Sequence, residues 1–174
     1  MINRIKVEAL RVDHAEELFL DLQDSRIFPY ISEKQFPTLP ELTARYEMLV
    51  GGPRAGRPEK WLNWVMYDRL SSATIGTLQA TIMTDERIAI VAYVVWPKLW
   101  RQGYASEGLD WLLDFLKNQP EVDTAVAYID VRNMASIRLV EKSGFALKET
   151  ITTPDDSDHI YYKTFSLLPS PNKA

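Results

Sequence analysis

The N-terminal part of the chain carries first a strand-like and then a helical pattern of apolar residues. Residues 4–12 alternate between apolar and polar side chains, which predicts a strand. Apolar residues then recur at helical spacing, and we expect Asp13 to cap this helix. Prolines interrupt residues 25–40, and residues 41–50 have helical composition before a pair of glycines. This part is predicted to be helical and irregular.

The middle of the chain has the patterns of three strands. Two strand-like runs, residues 61–70 and 73–83, surround a pair of serines, which predicts an antiparallel hairpin. Residues 87–95 are apolar without alternation. This pattern is expected of a strand that is buried on both faces in the middle of a sheet.

The next segment predicts a βαβ unit. After a loop at residues 96–102, apolar residues follow the spacing of one helix face: Leu109, Leu112, Leu113 and Leu116. Another strand is expected at residues 124–130. Strands connected through a helix in this way are nearly always parallel, with a right-handed crossover.

The C-terminal part adds a shorter helix and a pair of strands. The helix is expected at residues 133–143, before Gly144, and the strands at residues 145–151 and 160–167 surround a polar loop. The predicted fold class is therefore α+β. We expect a mixed, mostly antiparallel central sheet of about six to seven strands around a parallel βαβ core.

Composition places these elements in one domain. The chain has 174 residues, of which 46% are apolar, and it has no cysteine. We expect a single domain over residues 1–168 and a flexible tail at residues 169–174. Without cysteine, redox cysteine chemistry and thiolate metal sites are excluded.

Charge and hydropathy argue against two classes of partner. The formal net charge is -4 and no basic stripe is present, so nucleic acid is not an expected partner. The longest apolar run, residues 88–96, is far shorter than the ~20 residues that cross a bilayer. The N-terminus also lacks the apolar core of a signal peptide. We expect a soluble, cytoplasmic protein without a membrane partner, either a monomer or a homodimer.

One candidate ligand site is the loop RQGYASEG at residues 101–108, between the central strand and the next helix. Unpaired N–H groups at a helix N-terminus and the small residues around Gly103 suit an anion such as a phosphate. The loop lacks the lysine of a P-loop and the three glycines of a dinucleotide fingerprint. A diphosphate bound without a required metal is one interpretation, and a tight turn without a ligand is the other.

A second candidate is the segment NMASIRLVEKSGF at residues 133–145. At about 100° per residue, Asn133 and Ser136 lie on the same helix face as Ile137, Leu139 and Val140. Polar groups on a buried face need hydrogen-bond partners. A ligand can supply them, or Asn133 can cap the helix while Ser136 bonds back to it.

Together the two segments resemble the GNAT superfamily of acetyl-CoA-dependent N-acetyltransferases, in particular the branch that contains the ribosomal-protein N-terminal acetyltransferases. The first motif is a tryptophan, the loop glycine and the small and acidic residues after it: Trp100, Gly103, Tyr104, Ala105, Ser106 and Glu107. The second is an asparagine, a serine, a glutamate–lysine pair and Gly-Phe: Asn133, Ser136, Glu141, Lys142, Gly144 and Phe145.

The resemblance implies acetyl-CoA as co-substrate, no metal, and an amine-bearing small molecule or a peptide N-terminus as acceptor. Loop N–H groups would bind the CoA pyrophosphate, namely those of Arg101, Gln102, Gly103, Tyr104, Ala105 and Ser106. The main chain of Val94 and Val95 would pair with the pantetheine arm, and one of these amides would stabilise the oxyanion. Asn133 would hydrogen-bond the pantetheine, and Ser136 would protonate the leaving thiolate.

The general base is where the chain departs from the family. The branch often has glutamate on the central strand at the place of Ile90. Asp130 and His159 are the remaining base candidates, and Tyr128 is an alternative acid. An acceptor amine that must be neutral without help from a strong base favours α-amines, such as peptide N-termini, over lysine side chains.

Two further alternatives concern the acceptor side. The loop aspartates, Asp155, Asp156 and Asp158, either attract a cationic amine or belong to a solvated hairpin loop. A non-catalytic acyl-CoA-binding or sensing module on the same fold is the alternative function, because the strand carboxylate is missing.

Overall fold

The computed structural model describes residues 4–152 and 157–165, which form one seven-stranded sheet with helices on both faces. The strands are β1 (Ile5–Ala9), β2 (Glu59–Asp68), β3 (Thr74–Met83), β4 (Ile88–Val95), β5 (Thr124–Asp130), β6 (Ala146–Thr152) and β7 (Ser157–Thr164). The α-helices are α1 (His14–Leu18), α2 (Leu39–Gly51), α3 (Tyr104–Lys117) and α4 (Met134–Lys142). Short 3₁₀ helices occur at Asp21–Gln23, Ser25–Tyr30 and Pro97–Leu99.

The strand order is β1-β2-β3-β4-β5-β7-β6, and only the β4–β5 pair is parallel among the described strands. The predicted α+β class, the antiparallel hairpin β2–β3 and the parallel βαβ unit are confirmed. The predicted central position of β4 is also confirmed, since β4 is the fourth of seven strands. The last two strands do pair, but β7 returns between β5 and β6, which leaves β6 at the sheet edge with all its residues exposed.

Two hydrophobic clusters cover the two faces of the sheet. On one face, α3 and α4 pack against the strands, and the apolar stripe of α3 is buried as its spacing predicts: Leu109, Leu112, Leu113 and Leu116. On the other face, α1 and α2 pack over β2, with Leu18, Leu42 and Trp96 almost completely buried. The central strands are therefore covered by helices from both halves of the chain.

The start of α1 differs from the sequence prediction. Asp13 makes no side-chain cap; its Oδ1 instead accepts from Nε of Arg11 at 3.0 Å. The reason is its backbone, because Asp13 has helical dihedrals (φ -66°, ψ -20°), whereas a capping residue is normally extended.

Strands from both ends of the described part of the chain, β1 and β7, belong to this one sheet. The predicted tail at residues 169–174 lies outside the described residues. In the described part of the chain, none of the helices combines the length and apolar character needed to span a bilayer.

Candidate functional site

A gap opens in the middle of the sheet between β4 and β5. Their parallel pairing ends at Ile90 and Val126, although β4 continues to Val95 and β5 to Asp130. Parallel strands that separate in this way leave main-chain N–H and C=O groups without a ladder partner along the gap.

The β3–β4 ladder determines which main-chain groups of β4 face this gap. The N–H of Trp96 donates to the carbonyl of Ile75 at 2.9 Å. Because the main-chain groups of successive residues alternate between the two sides of a strand, those of Val94 point to β3. Those of Tyr93 and Val95 point to the gap.

Val95 is the better placed of the two predicted pantetheine-binding residues. Its carbonyl accepts a hydrogen bond from the Trp100 indole N–H at 2.7 Å, which leaves its N–H as the group directed to the gap. The ladder therefore favours Tyr93 and Val95, rather than Val94, as the main chain that a bound extended arm would meet.

The loop before α3 has the geometry of an anion site. Arg101 and Gly103 have positive φ values of 60° and 89°, which turns successive N–H groups toward one side. The first main-chain bond of the helix runs from the N–H of Glu107 to the carbonyl of Gly103 at 3.1 Å. The N–H groups of residues 101–106 make no hydrogen bond of ordinary geometry to the described main chain. These are the groups predicted to hold a pyrophosphate, and the positive end of the helix dipole lies among them.

Arg4, which sequence reasoning missed, holds this loop from the N-terminal side. Its Nε donates to Oε1 of Glu107 at 2.6 Å and its Nη2 donates to the carbonyl of Gln102 at 2.9 Å. Its guanidinium also lies 4.6 Å from the centre of the Tyr104 ring, and the Tyr104 hydroxyl donates to Asp68 at 3.0 Å. The hydrogen bond to Glu107 raises the pKa of Arg4 further above its ordinary value.

The N-terminus of α4 lies beside the same gap. Oδ1 of Asn133 accepts from the N–H of Ser136 at 3.1 Å, so Asn133 does cap the helix. The side-chain nitrogen of Asn133 has no partner among the described residues and can donate to a ligand. Capping and ligand binding by Asn133 are thus compatible.

The Tyr93 hydroxyl is a second feature that sequence reasoning missed. It is completely buried and makes no hydrogen bond of ordinary geometry to a described residue. Burial raises the pKa of Tyr93, and the nearby Ser136 side chain opposes this rise. Two neutral hydroxyl groups, those of Tyr93 and Ser136, therefore lie close together next to the gap.

Asp130 is placed at the end of β5, as predicted, but its carboxylate is already engaged. Nε of Arg132 donates to both oxygens, at 2.9 and 3.1 Å, and Asp130 is only 4% exposed. These hydrogen bonds hold the pKa of Asp130 below its ordinary value. This environment disfavours Asp130 as a proton acceptor at neutral pH.

The other predicted acid and base groups are separated. Tyr128 lines a cavity next to the gap, and burial raises the pKa of its hydroxyl, which suits an acid rather than a base. His159 is bonded to Oγ1 of Thr150 at 2.8 Å and does not line that cavity. Asp158 does line it, whereas Asp155 and Asp156 lie outside the described residues.

The cavity has a volume of about 740 Å³ and lies between the sheet and the α1–α2 side of the protein. It reaches the gap at Ala92, Tyr93 and Val94. This explains why β4 is not buried on both faces as predicted: Ala92 is exposed to the cavity. Among the described residues, no three His, Asp or Glu side chains converge as a metal site would require.

The family of this chain follows from comparison with known proteins. The acetyltransferase (GNAT) domain family matches residues 4–146, which is most of the chain. The chain belongs to the GNAT family. The family resemblance expected from the two motifs is therefore confirmed.

One curated relative of this GNAT chain is the uncharacterized protein YkkB of Bacillus subtilis (strain 168). The two are 28% identical over 90 residues, which is 51% of this chain and 52% of YkkB. The chain thus aligns with about half the length of this relative.

Solved GNAT structures share the fold. The ribosomal L7/L12 alpha-N-protein acetyltransferase RimL, in complex with coenzyme A, superposes with a TM-score of 0.81 at 14% identity, covering 93% of this chain and 94% of RimL. Spermidine N-acetyltransferase from Vibrio cholerae, in complex with CoA and spermine, gives a TM-score of 0.79 at 17% identity, covering 94% and 96%. At these identities the similarity establishes the fold.

The GNAT motifs pointed to the loop and to α4, but not to what surrounds them. Arg4 and Glu107 are 103 residues apart, so no local pattern connects them. In the sequence, Tyr93 belongs to an apolar run and is not distinguished from its neighbours. Only the position of α4 brings its hydroxyl close to Ser136. Ile90, where the family resemblance leads one to expect a glutamate, is the last residue of β4 that pairs with β5.

Proposed function

We propose that this protein is an N-acetyltransferase that uses acetyl-CoA to acetylate a primary amine held in the cavity. One observation carries the proposal. The N–H groups of residues 101–106 follow β4 without main-chain partners, the edge of β4 beyond Ile90 has no ladder partner in β5, and the cavity reaches this edge at Ala92, Tyr93 and Val94. An anion site followed by an open strand edge and a cavity suits an extended diphosphate ligand that carries an acyl group toward an acceptor.

Different residues of the chain would bind different parts of acetyl-CoA. The loop N–H groups would bind the pyrophosphate, and the main chain of Tyr93 and Val95 would align the extended arm. Asn133 would donate its free amide N–H to the same arm. Acetyl-CoA supplies an activated acyl thioester and needs no metal. A main-chain N–H in the gap would stabilise negative charge that develops on the acyl oxygen.

Proton transfer would rely on hydroxyl groups. Ser136, with Tyr93 beside it, would donate a proton to the departing sulfur, since the raised pKa keeps Tyr93 protonated. Tyr128 is the remaining acid candidate, at the other strand of the gap. The acceptor would attack directly, because the chain has no cysteine that could form an acyl-enzyme.

The acceptor would have to arrive largely as the neutral amine. Arg132 holds Asp130 in the ionised form and occupies both carboxylate oxygens, and β4 carries no acidic residue. An α-amine with a pKa of ~7.8 has about 340 times more neutral form at pH 7 than a lysine amine with a pKa of ~10.4. We therefore propose a peptide N-terminus or a small molecule with an amine of low pKa as acceptor.

The test is acetyl transfer from acetyl-CoA to a panel of peptides, amino-acid amides, polyamines and aminoglycosides, detected by mass spectrometry. We expect acetylated products, with α-amines ahead of lysine side chains. CoA binding measured by calorimetry, without transfer to any amine, would instead favour the alternative of a non-catalytic acyl-CoA-binding module. Absence of CoA binding in the folded protein would overturn both.

A further inference from the structure

The two ends of the cavity differ in chemical character. On the side of the sheet the cavity wall includes the polar residues Gln79, Asn63 and Tyr128. The end under α2 is apolar and is lined mainly by Leu22, Ile27, Phe28, Phe36, Leu42 and Leu49. An acceptor whose amine reaches the gap would therefore place the rest of its structure against aliphatic and aromatic side chains.

The acidic groups of the described cavity wall are already engaged. Oε1 of Glu33 accepts from Nε of Arg45 at 2.8 Å, and both residues line the cavity. Asp130 is bonded to Arg132, and Asp158 also has an interaction partner. Lys34 adds a further positive charge to the wall. A ligand with a second ammonium group would find Glu33 and Asp130 already paired with arginine and Asp158 already engaged in another interaction.

Tyr46 is a polar residue of α2 at the apolar end of the cavity. It is 5% exposed, and burial raises the pKa of its hydroxyl well above the ordinary value. Tyr46 therefore stays neutral, so it can hydrogen-bond a polar atom of a ligand but cannot balance a cation. The Tyr46 hydroxyl therefore adds to the preference for an uncharged part of the ligand at the end of the cavity under α2.

We infer that the acceptor is a monoamine with an apolar body, such as an amino-acid amide or peptide N-terminus with an aliphatic or aromatic first side chain. This inference rests on the proposed function and narrows its substrate class. The volume of about 740 Å³ lies within the range of ~300–1,000 Å³ that is usual for small-molecule sites. Burying an unpaired ammonium against apolar walls is unfavourable, so polyamines and other polycations are excluded by the cost of desolvation.

Norleucinamide and lysinamide form a matched pair of probes, because they have the same chain length and differ in the terminal ammonium group. Each is titrated calorimetrically into the protein saturated with CoA, and acetyl transfer to each is measured in parallel. We expect norleucinamide to bind at least about tenfold more tightly than lysinamide, and spermidine to bind more weakly still. Equal affinities, or tighter binding of lysinamide or spermidine, would overturn the inference.

Binding and transfer separate this inference from the proposed function. Selective binding of norleucinamide without transfer would support the apolar cavity and contradict the N-acetyltransferase. Efficient transfer to lysinamide and spermidine would support the N-acetyltransferase and contradict the apolar acceptor.

Arg45→Met offers a second test, because it leaves Glu33 without its counter-cation in the cavity wall. We expect the preference for norleucinamide to fall about tenfold, since the uncompensated carboxylate now attracts the second ammonium of lysinamide. Arg26→Met is the matched control: Arg26 forms an ion pair with Asp24 at 2.5 Å but does not line the cavity. An unchanged preference in folded Arg45→Met, or an equal change in Arg26→Met, would contradict the role assigned to the cavity charges.

Discussion

Gly103 is the residue at which backbone conformation and ligand approach coincide. Residues that carry a side chain rarely adopt its φ of 89°, and a Cβ there would lie 3.2 Å from Nη2 of Arg4. The absence of a side chain keeps the N–H groups around it accessible. Glycine is thus required here both by the turn and by the space in front of the loop.

Gly103→Val is expected to reduce CoA affinity at least about tenfold, because the side chain both strains the loop and covers its N–H groups. Calorimetric titration with CoA measures the effect. Gly56→Val is the matched control, since Gly56 also has a positive φ, of 84°, but has no atom within 4 Å of an added Cβ. Wild-type affinity in folded Gly103→Val, or equal losses in both variants, would contradict the assignment of the loop.

Ser136→Ala tests the proton donor. We expect kcat to fall by about 10²-fold with little change in KM, because a general acid acts in the transition state and contributes little to substrate binding. Tyr93→Phe, made alone and in combination, measures how far the neighbouring hydroxyl compensates. A normal kcat in both single variants and in the double variant would mean that the two hydroxyl groups have a structural role only.

At the scale of elements, the position of β4 beside the gap depends on how closely β3 and β4 approach each other at the C-terminal end of β4. A Cβ on Gly76 would lie 1.9 Å from the main-chain oxygen of Val94, which is far inside contact distance. β3 also has a register irregularity against β2 next to this point, between Met66 and Tyr67 of β2. This close approach of the β3 and β4 main chains fixes the position of β4, whose opposite edge faces the gap.

Gly76→Ala is therefore expected to push β4 away from β3 and to lower the free energy of unfolding by about 1–3 kcal/mol. It should also weaken CoA binding. Urea unfolding and calorimetry measure the two effects. Gly51→Ala is the control, because nothing lies within 4 Å of its added Cβ and it replaces glycine within α2. A Gly76→Ala protein as stable as Gly51→Ala would show that the sheet adapts to the side chain.

At the scale of the whole molecule, the pH profile reports which groups the fold leaves available for proton transfer. The hydrogen bonds from Arg132 lower the pKa of Asp130, so this carboxylate stays ionised throughout the neutral range and contributes no inflection there. We expect kcat/KM to rise with pH and to reach a plateau near the pKa of the free substrate amine. A series of amines should follow their basicities, and Asp130→Asn should not move the plateau. A plateau near pH 6 to 7 that shifts in Asp130→Asn or His159→Gln would reveal an enzymic base.

Local sequence information determined the elements and the position of the candidate anion-binding loop. The helical spacing of Leu109, Leu112 and Leu116, the hairpin pattern and the βαβ order each depend on residues close together in the chain, and the structure confirms them. The loop at residues 101–108 was also predictable, because glycine, small residues and a following helix occur within one short segment.

Only the tertiary structure decided how these elements meet. The return of β7 between β5 and β6, the opening of β4 from β5, and the contact of Arg4 with Glu107 all join residues far apart in the chain. The pairing of Glu33 with Arg45 removes a free charge from the cavity, and no local sequence pattern predicts it. The physical reason is that periodicity and turn chemistry act between neighbours in sequence, whereas strand order and charge compensation follow from the packing of the complete chain.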